Sequence, residues 1–486
     1  MDLTQLNAAF AIDSLPLAVD LDGTLIASDT LHESCFSCLK EKPRHLWQLA
    51  KVLSSGKAAF KEAVTGHVQL DPALLPYNKP LLEWLRAEKA TGRRIGLFTA
   101  ADQSIADAIA SHLGIFDDVH GSREGINLGG TNKLKVIRAC YGERFAYAGD
   151  GAVDVPIFAA SEQVVLVGNV ERLQRSLPAG KPIEKTFPRD KVTWRAWARA
   201  LRVEHWAKNL LVLVAPLLGF QFLTLYTAIQ AGALFAAMGL LASATYIAND
   251  LLDLPADRQH PKKRLRAFAA GRLTPLEGVT AGALLLLSAT IIALGAGLPL
   301  PVLASLVAYA AVTLSYSLYL KRQPIIDVFV LAGLFTLRVF AGGLLLPNGV
   351  SPWLLTFSML FFLGLAMVKR HAELDRVVRT GAAAVISRGY TARDLPLLLA
   401  AGVASSFSSI VIFTIYLINE QYPRDTYNHP KLLWAMMPIL LIWVLRVWHL
   451  TVQGRMSEDP VVFALKDPTS LFLGAAGVLC LFLAWL

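Results

Sequence analysis

The sequence predicts two dissimilar parts: an N-terminal α/β domain on a parallel sheet, and a C-terminal all-α domain of nine membrane-spanning helices. Three observations carry that expectation. Four short apolar runs, Leu15–Asp20, Arg94–Thr99, Phe145–Asp150 and Val164–Val167, each lead into a turn or a helical stretch, the pattern of strand–helix units. From about residue 208, apolar runs of spanning length follow one another. The chain is 54% hydrophobic and only 17% charged, and its charges cluster in the first 190 residues and in loops beside the later apolar runs.

Length and composition narrow the function classes. With 486 residues there is room for two or more domains. Met1 to Ser14 contains acids and lacks a basic start followed by an apolar block, so no signal peptide is expected and the soluble part should stay in the cytosol. Four cysteines, at 35, 38, 140 and 480, suggest no disulfide framework, and Cys35-x-x-Cys38 has no matching ligands nearby. The net charge of +9 is not spread as on a nucleic-acid surface, so no nucleic-acid partner is expected. It gathers where anionic lipid headgroups or phosphorylated substrates would meet it.

In the first part, chemistry belongs at the carboxyl ends of the strands. Asp20, Thr99 and Asp150 all fall there, across 130 residues of chain. Asp20-Leu21-Asp22-Gly23-Thr24, Leu97-Phe98-Thr99 and Gly149-Asp150 with Asp154 resemble the motifs of the haloacid-dehalogenase-like (HAD) phosphatase superfamily. That resemblance implies a Rossmann-like α/β fold over residues 1–170. It implies Asp20 as the nucleophile toward a phosphoryl group and Asp22 as general acid and base. Thr99 and a lysine would hold phosphoryl oxygens, with Asp20, Asp22, Asp150 and Asp154 around Mg²⁺. The lysine is Lys133 or Lys135, and Lys133 is favoured because it lies closer to the Thr131-Asn132 turn ahead of a helix at 134–141. A carboxylate attacking a phosphate dianion needs a cation to offset repulsion. Between Leu25 and Arg93, helical periodicity, with Leu46, Leu49, Val52 and Leu53 on one face, suits a small helical cap that excludes water. His45, His67 and His112 read as surface or cap residues.

Pro178, Pro182 and Pro188 with scattered charges mark a boundary, and residues 171–207 are expected to form a linker and an interfacial helix. In the stretch from Lys191 to Asn209, Trp194, Trp197 and Trp206 alternate with Arg195, Arg199, Arg202 and Lys208, which suits a membrane surface. The membrane domain then occupies 208–486. Its nine apolar segments are at about 209–225, 229–249, 278–298, 300–320, 325–346, 353–368, 396–418, 432–450 and 469–486. Lys and Arg concentrate in 258–272, 321–322, 369–393 and 455–466, so those connections should face the cytosol and the carboxyl terminus should lie outside. The localisation expected is the inner, cytoplasmic membrane.

The segment Asn249-Asp250-Leu251-Leu252-Asp253-Leu254-Pro255-Ala256-Asp257, followed by His260-Pro261-Lys262-Lys263-Arg264-Leu265-Arg266, closes the second apolar run. Spacings of three and four put the acids on one helical face. Three carboxylates beside a membrane need a counter-ion, and Mg²⁺ carrying a substrate diphosphate supplies one. The second part resembles the UbiA-type prenyltransferase superfamily, over about 200–486. The entry Leu201 to Asn209, the loop His260 to Arg266, and Tyr316-Ser317 with Leu320-Lys321, Asp327-Val328 and Arg338 are similar to its polyprenyl-phosphate phosphoribosyltransferase branch, with departures at Val203, His205 and Ala267. The connection Lys369-Arg370-His371-Ala372-Glu373-Leu374-Asp375-Arg376 has more bases than acids and no second Asp-x-x-x-Asp. A cationic wall suits phosphates on both reactants.

The expected reaction transfers phosphoribosyl from phosphoribosyl diphosphate to a polyprenyl phosphate. Asp250, Asp253 and Asp257 would hold Mg²⁺ on the leaving diphosphate, and Asp327 would stabilise the oxocarbenium-like state. Candidates for substrate contacts are Lys208, Asn209, Asn249, Lys263, Arg264, Arg266, Tyr316, Lys321, Arg338, Lys369 and Arg370. The N-terminal domain would then remove the 5-phosphate, giving polyprenyl-phosphoryl ribose for envelope pentose, with downstream epimerases of lipid-linked arabinose synthesis as partners. A competing reading is prenylation of an aromatic acid such as 4-hydroxybenzoate, with a phosphatase attached. A third treats the soluble domain as a non-enzymatic sensor of phosphorylated metabolites.

Overall fold

The computed structural model describes residues 15–41, 57–123, 125–190, 192–218, 224–347, 349–379, 389–422, 427–456 and 459–486. The chain divides into two compact units: residues 1–200 with 247–281, and residues 201–246 with 282–486.

The first unit holds a six-stranded, all-parallel sheet in the order β3-β2-β1-β4-β5-β6. The strands are β1 (Leu17–Val19), β2 (Ile95–Asp102), β3 (Asp118–Ser122), β4 (Ala146–Gly149), β5 (Gln163–Gly168) and β6 (Ile183–Pro188). Between them run α1 (Thr30–Glu41), α2 (Lys57–Thr65), α3 (Lys79–Ala90), α4 (Gln103–Leu113), α5 (Thr131–Tyr141), α6 (Val155–Ala160) and α7 (Val170–Ser176). Period-two alternation explains why these runs form a sheet buried on both faces. Leu17, Val19, Leu97, Ala146 and Val165 pack with α3 and α4 on one side. Ala18, Phe98, Tyr147, Val164 and Leu166 pack with α5, α6 and α7 on the other. Strand order reverses between β1 and β4, which opens a crevice at their carboxyl ends.

The sheet extends beyond the boundary expected at residue 170. Both α7 and β6 belong to it, β6 pairing with β5 from Ile183 to Pro188, so this stretch is not a linker. Its prolines sit around an edge strand, where a missing amide costs no ladder bond. The face expected at Leu46, Leu49, Val52 and Leu53 lies outside the described residues; α1 and α2 flank that gap. The single interfacial helix expected over 191–209 is instead two elements, α8 (Trp194–Ala200) and a 3₁₀ helix over Val203–Leu213, separated by Arg202 in the left-handed region at φ 50°.

Among the described residues, eight helices are long and apolar enough to cross a membrane. Seven are α10 (Leu225–Leu252), α12 (Pro275–Gly295), α13 (Leu300–Leu318), α14 (Ile326–Gly343), α15 (Pro352–Arg379), α17 (Met436–Val452, its span beginning at Pro430) and α19 (Pro468–Trp485). The eighth span, Ala392–Gln421, contains α16 (Leu395–Tyr416). The ninth, expected at 209–225, is not among them: the 3₁₀ stretch gives way to the short α9 (Val214–Leu218), and 219–223 lie outside the described residues. Short helices α11 (Leu254–Gln259) and α18 (Pro460–Lys466) lie between spans. In the second unit, Gly342 of α14 admits the 3₁₀ stretch; a Cβ there would collide with the Val212 carbonyl. That close approach sets the Lys208–Asn209 stretch beside α14.

Candidate functional site

Three polar clusters stand out, two in the first unit and one in the second. In the crevice at β1 and β4, Asp20 follows β1 and Asp150 follows β4, while Asp154 lies on the turn before α6. One ligand oxygen from each of Asp20, Asp150 and Asp154 lies within 4.8 Å of the others. Lys133, in the first turn of α5 and 3% exposed, reaches Asp20 at 2.8 Å and Asp154 at 3.4 Å, with the Tyr147 hydroxyl 3.1 Å away. Lys135, two residues on, is exposed, because helical periodicity turns it outward. Thr99 is fully buried and its hydroxyl accepts from the Ala101 amide at 3.0 Å. Gly23, at φ +77°, lets the loop approach so closely that a Cβ would collide with the Asp150 carboxylate. The Thr24 hydroxyl donates to the same carboxylate at 3.3 Å.

Burial dominates the electrostatics of this cluster. It pushes Asp20 up to about 6, against the pull of Lys133. Burial and the charges of Asp20 and Asp154 push Asp150 up to about 7. Asp22 rises to about 7 from burial and from its neighbour Asp29. Three crowded, desolvated carboxylates with one lysine are short of positive charge, so the donor set fits a hard divalent cation. Asp22, expected among the metal ligands, is not part of that triad; its two oxygens accept from the Thr30 amide at 2.8 Å and the Thr30 hydroxyl at 3.3 Å. Asp29 caps α1, its carboxylate accepting from the Leu31 and His32 amides.

The second cluster is the acidic segment. Helix α10 ends at Leu252, Asp253 precedes α11, and backbone bonds from Asp253 to Asn249 and from Asp257 to Asp253 carry helical pairing across the junction. The three acids have different ion-pair partners. Asp250 and Asp257, both buried, converge on Arg266, whose Nη1 lies 3.1 and 2.7 Å away. Asp253 pairs instead with Lys40 at 2.8 Å. A single guanidinium thus lies against two buried carboxylates, partly offsetting their charge. Lys263 is half-exposed and 3.9 Å from Asp257, Arg264 is exposed, and Asn249 is half-buried.

The third cluster belongs to the second unit. Lys208 and Lys369 both contact one oxygen of Asp459, each at 2.9 Å. Asp459 also accepts from the Val461 amide at 3.1 Å, capping α18. Although half-buried, Asp459 is held far below the usual carboxylate range by the two ammonium groups. His205 is pushed down to about 4 by burial and by the charges of Lys208 and Arg202. Arg338 has every arm engaged: Nε donates to Asn209 at 2.9 Å, Nη1 to the Leu334 carbonyl at 2.6 Å, and Nη2 to the Tyr309 hydroxyl at 2.8 Å. Arg370 pairs with Asp327 at 2.7 Å and also contacts Glu373, while the Tyr390 hydroxyl donates to Asp327. Asp327, expected to stabilise the oxocarbenium-like state, and Arg370, expected on a phosphate, are thus engaged with each other. Tyr316 and Lys321 are half-buried at the end of α13 and just after it.

The sequence assigned no role to Asp459, Tyr390, Glu33 or Lys40. Only Asp459 had a local signal, since an Asp immediately before proline marks a helix start. A cleft of about 470 Å³ between α14 and α15 is lined by Gly333, Leu337, Phe340, Leu355 and Met359, with room for an aliphatic chain.

Comparison with known proteins agrees with the membrane part. A protein of Sinorhizobium fredii described as the uncharacterized protein y4nM is 40% identical over 464 residues, covering 95% of this chain and 89% of that one. The nodulation protein NoeC of Azorhizobium caulinodans is 30% identical over 286 residues, covering 58% of this chain and 90% of its own length. Decaprenyl-phosphate phosphoribosyltransferase of Mycobacterium tuberculosis is 31% identical over 286 residues, 58% of this chain and 91% of that protein. The sequence profile of the UbiA prenyltransferase family matches residues 210–466. With its apolar helices, that match makes this an integral membrane protein, and the chain belongs to the UbiA prenyltransferase family.

Proposed function

We propose that this chain is a bifunctional enzyme: the membrane part transfers phosphoribosyl from phosphoribosyl diphosphate to a polyprenyl phosphate, and the soluble part removes the 5-phosphate. The observation that carries the first half is the 31% identity to a decaprenyl-phosphate phosphoribosyltransferase along 91% of that protein. The cationic cluster of Lys208 and Lys369, balanced by Asp459 alone among the contacts they make, supports it, because two anionic phosphates must be brought together.

In the transfer, an oxygen of the lipid phosphate attacks the anomeric carbon of the ribose. The bond to diphosphate breaks and diphosphate leaves with the electron pair. The acceptor is already anionic, so no strong base is needed. Asp250 and Asp257, with Asp253, are the residues that would hold Mg²⁺, which when bound neutralises charge on the departing diphosphate. Arg266, between two of them, orients those carboxylates. Lys208, Lys369, Lys263, Arg264 and Lys321 grip phosphates, and Asn249 and Tyr316 add polar contacts to substrate. Arg338, Asn209, Arg370 and Asp327 fix the helices that carry these groups. The cleft at Gly333 and Leu337 takes part of the isoprenoid chain.

In the phosphatase step, the soluble part acts as a HAD-like domain. Asp20 attacks phosphorus and the ribose 5-oxygen leaves with a proton from Asp22; water then attacks the aspartyl phosphate, returns a proton to Asp22 and releases phosphate. A carboxyl raised to about 7 suits that proton traffic. Lys133 and Thr99 hold the phosphoryl oxygens. Asp20, Asp150 and Asp154 would hold Mg²⁺, which supplies charge neutralisation. Both sites work on the cytosolic face of the inner membrane, with nine crossings and the carboxyl terminus outside, and the product, polyprenyl-phosphoryl ribose, feeds epimerases that make lipid-linked arabinose. Mass spectrometry of lipid made by the full chain tests the scheme. The wild type should give lipid-phosphoryl ribose and Asp20→Asn the 5-phosphorylated form; identical products from both would remove the phosphatase role.

A further inference from the structure

We infer that α1 of the soluble unit is a positioning element for the acidic segment, clamping α11 at both ends through Glu33 and Lys40. The inference rests on the transferase reading above. Glu33, in the first turn of α1, takes Arg258 from the last turn of α11 in a two-pronged pair: Nη2 to Oε1 at 2.6 Å and Nη1 to Oε2 at 2.8 Å. Both side chains are at most 8% exposed. Lys40, in the last turn of α1, takes Asp253, the residue before α11, at 2.8 Å. The first turn of one helix therefore meets the end of the other, and the two lie antiparallel.

Two attachment points fix orientation where one would leave a pivot. Glu33 and Lys40 are separated by about 10 Å along α1, at 1.5 Å per residue, and Asp253 and Arg258 by about 7 Å along α11. Further contacts stiffen the joint. The Ser28 hydroxyl donates to Glu33 at 2.6 Å, and Arg258 Nε donates to the Ala269 carbonyl at 3.1 Å. Gly271, at φ +69°, packs so that a Cβ would lie 3.0 Å from Ala27 and from Pro76. Asp257 directly precedes Arg258, so the rotation of α11 sets where the Asp257 carboxylate meets Arg266 and Asp250. Misplacing a catalytic group by about 1 Å can cost about a hundredfold in rate. The soluble unit therefore has a second task besides its own crevice: it holds the transferase acids in place.

The full-length protein in nanodiscs, as Glu33→Gln, Arg258→Gln, their double variant and Lys40→Met, tests this. Hydrogen exchange over residues 249–266 needs no substrate, and transfer from labelled phosphoribosyl diphosphate gives kcat and KM. Each single variant should speed exchange there and lower kcat about tenfold, with KM for the lipid within twofold. The Glu33→Gln/Arg258→Gln double should cost no more than the worse single, since neither charge is then left unpaired. Unchanged exchange in the singles, faster exchange with unaltered kcat, or fully additive losses would each overturn the clamp. If the wild type transfers no label, the transferase reading fails, while the exchange measurement still decides whether α1 holds α11.

Discussion

Asp327 and Arg370 are buried against each other: Oδ2 of the acid lies 2.7 Å from Nη2 of the arginine, and the side chains are 0% and 2% exposed. Breaking such a pair by removing one partner leaves an uncompensated charge, which costs about 3–5 kcal/mol. Asp327→Asn should therefore lower the thermal midpoint in detergent sharply, and Asp327→Asn/Arg370→Met should recover much of the loss. A wild-type midpoint with abolished transfer would instead make Asp327 a catalytic carboxylate.

Lys133 and Lys135 should contribute unequally to the proposed phosphatase activity of the crevice at β1 and β4. Lys133 is the ammonium between Asp20 and Asp154, whereas Lys135 faces solvent. Lys133→Met should reduce phosphomonoesterase turnover by about a hundredfold or more, in the range of losing one electrostatic contact to a transferring group. Lys135→Met should stay within about twofold, as exposed substitutions usually do. Hydrolysis of a soluble phosphomonoester measures both.

What could be read from the sequence divides along the range of the interactions. The Asp20 and Asp150 strand ends were legible because each closes a short apolar run, and the parallel sense of the sheet followed from alternating strand and helix; Thr99, also expected at a strand end, lies inside β2, which runs on to Asp102. Strands β3 (Asp118–Ser122) and β6 (Ile183–Pro188) were not, because both are edge strands with polar side chains and little periodicity. The acids at 250, 253 and 257 were legible as a group, but their division between Arg266 and Lys40 was not: Lys40 and Asp253 are 213 residues apart. Lys208 and Asp459, 251 apart, are the same case. Nor does composition distinguish the 3₁₀ course of Val203–Leu213, which buries Asn209 and Val212, from an α-helix over the same residues.

His205 gives stability a pH dependence of known sign. Its folded value, about 4, lies below the ordinary 6.5, so the unfolded chain takes up a proton first as pH falls. Stability should thus be flat above pH 6.5 and decline from there to about pH 4. His205→Gln should show a shallower decline of the thermal midpoint over that window; identical slopes would mean that His205 does not sense the Lys208 and Arg202 charges.

Asp459 is the counter-charge shared by Lys208 and Lys369. Asp459→Asn should leave two ammonium groups facing each other, lowering the midpoint at low salt. Inorganic phosphate at millimolar levels should then stabilise the variant more than the wild type, by mass action on a new anion site. No difference between the two would argue against these lysines as phosphate ligands.

On the proposed function, this membrane transferase moves phosphoribosyl onto a lipid phosphate. Purified full-length protein, given Mg²⁺, polyprenyl phosphate and ribose-labelled phosphoribosyl diphosphate, should move the label into the organic phase with release of diphosphate. An unlabelled lipid phase, together with prenyl transfer from a prenyl diphosphate to 4-hydroxybenzoate, would contradict it.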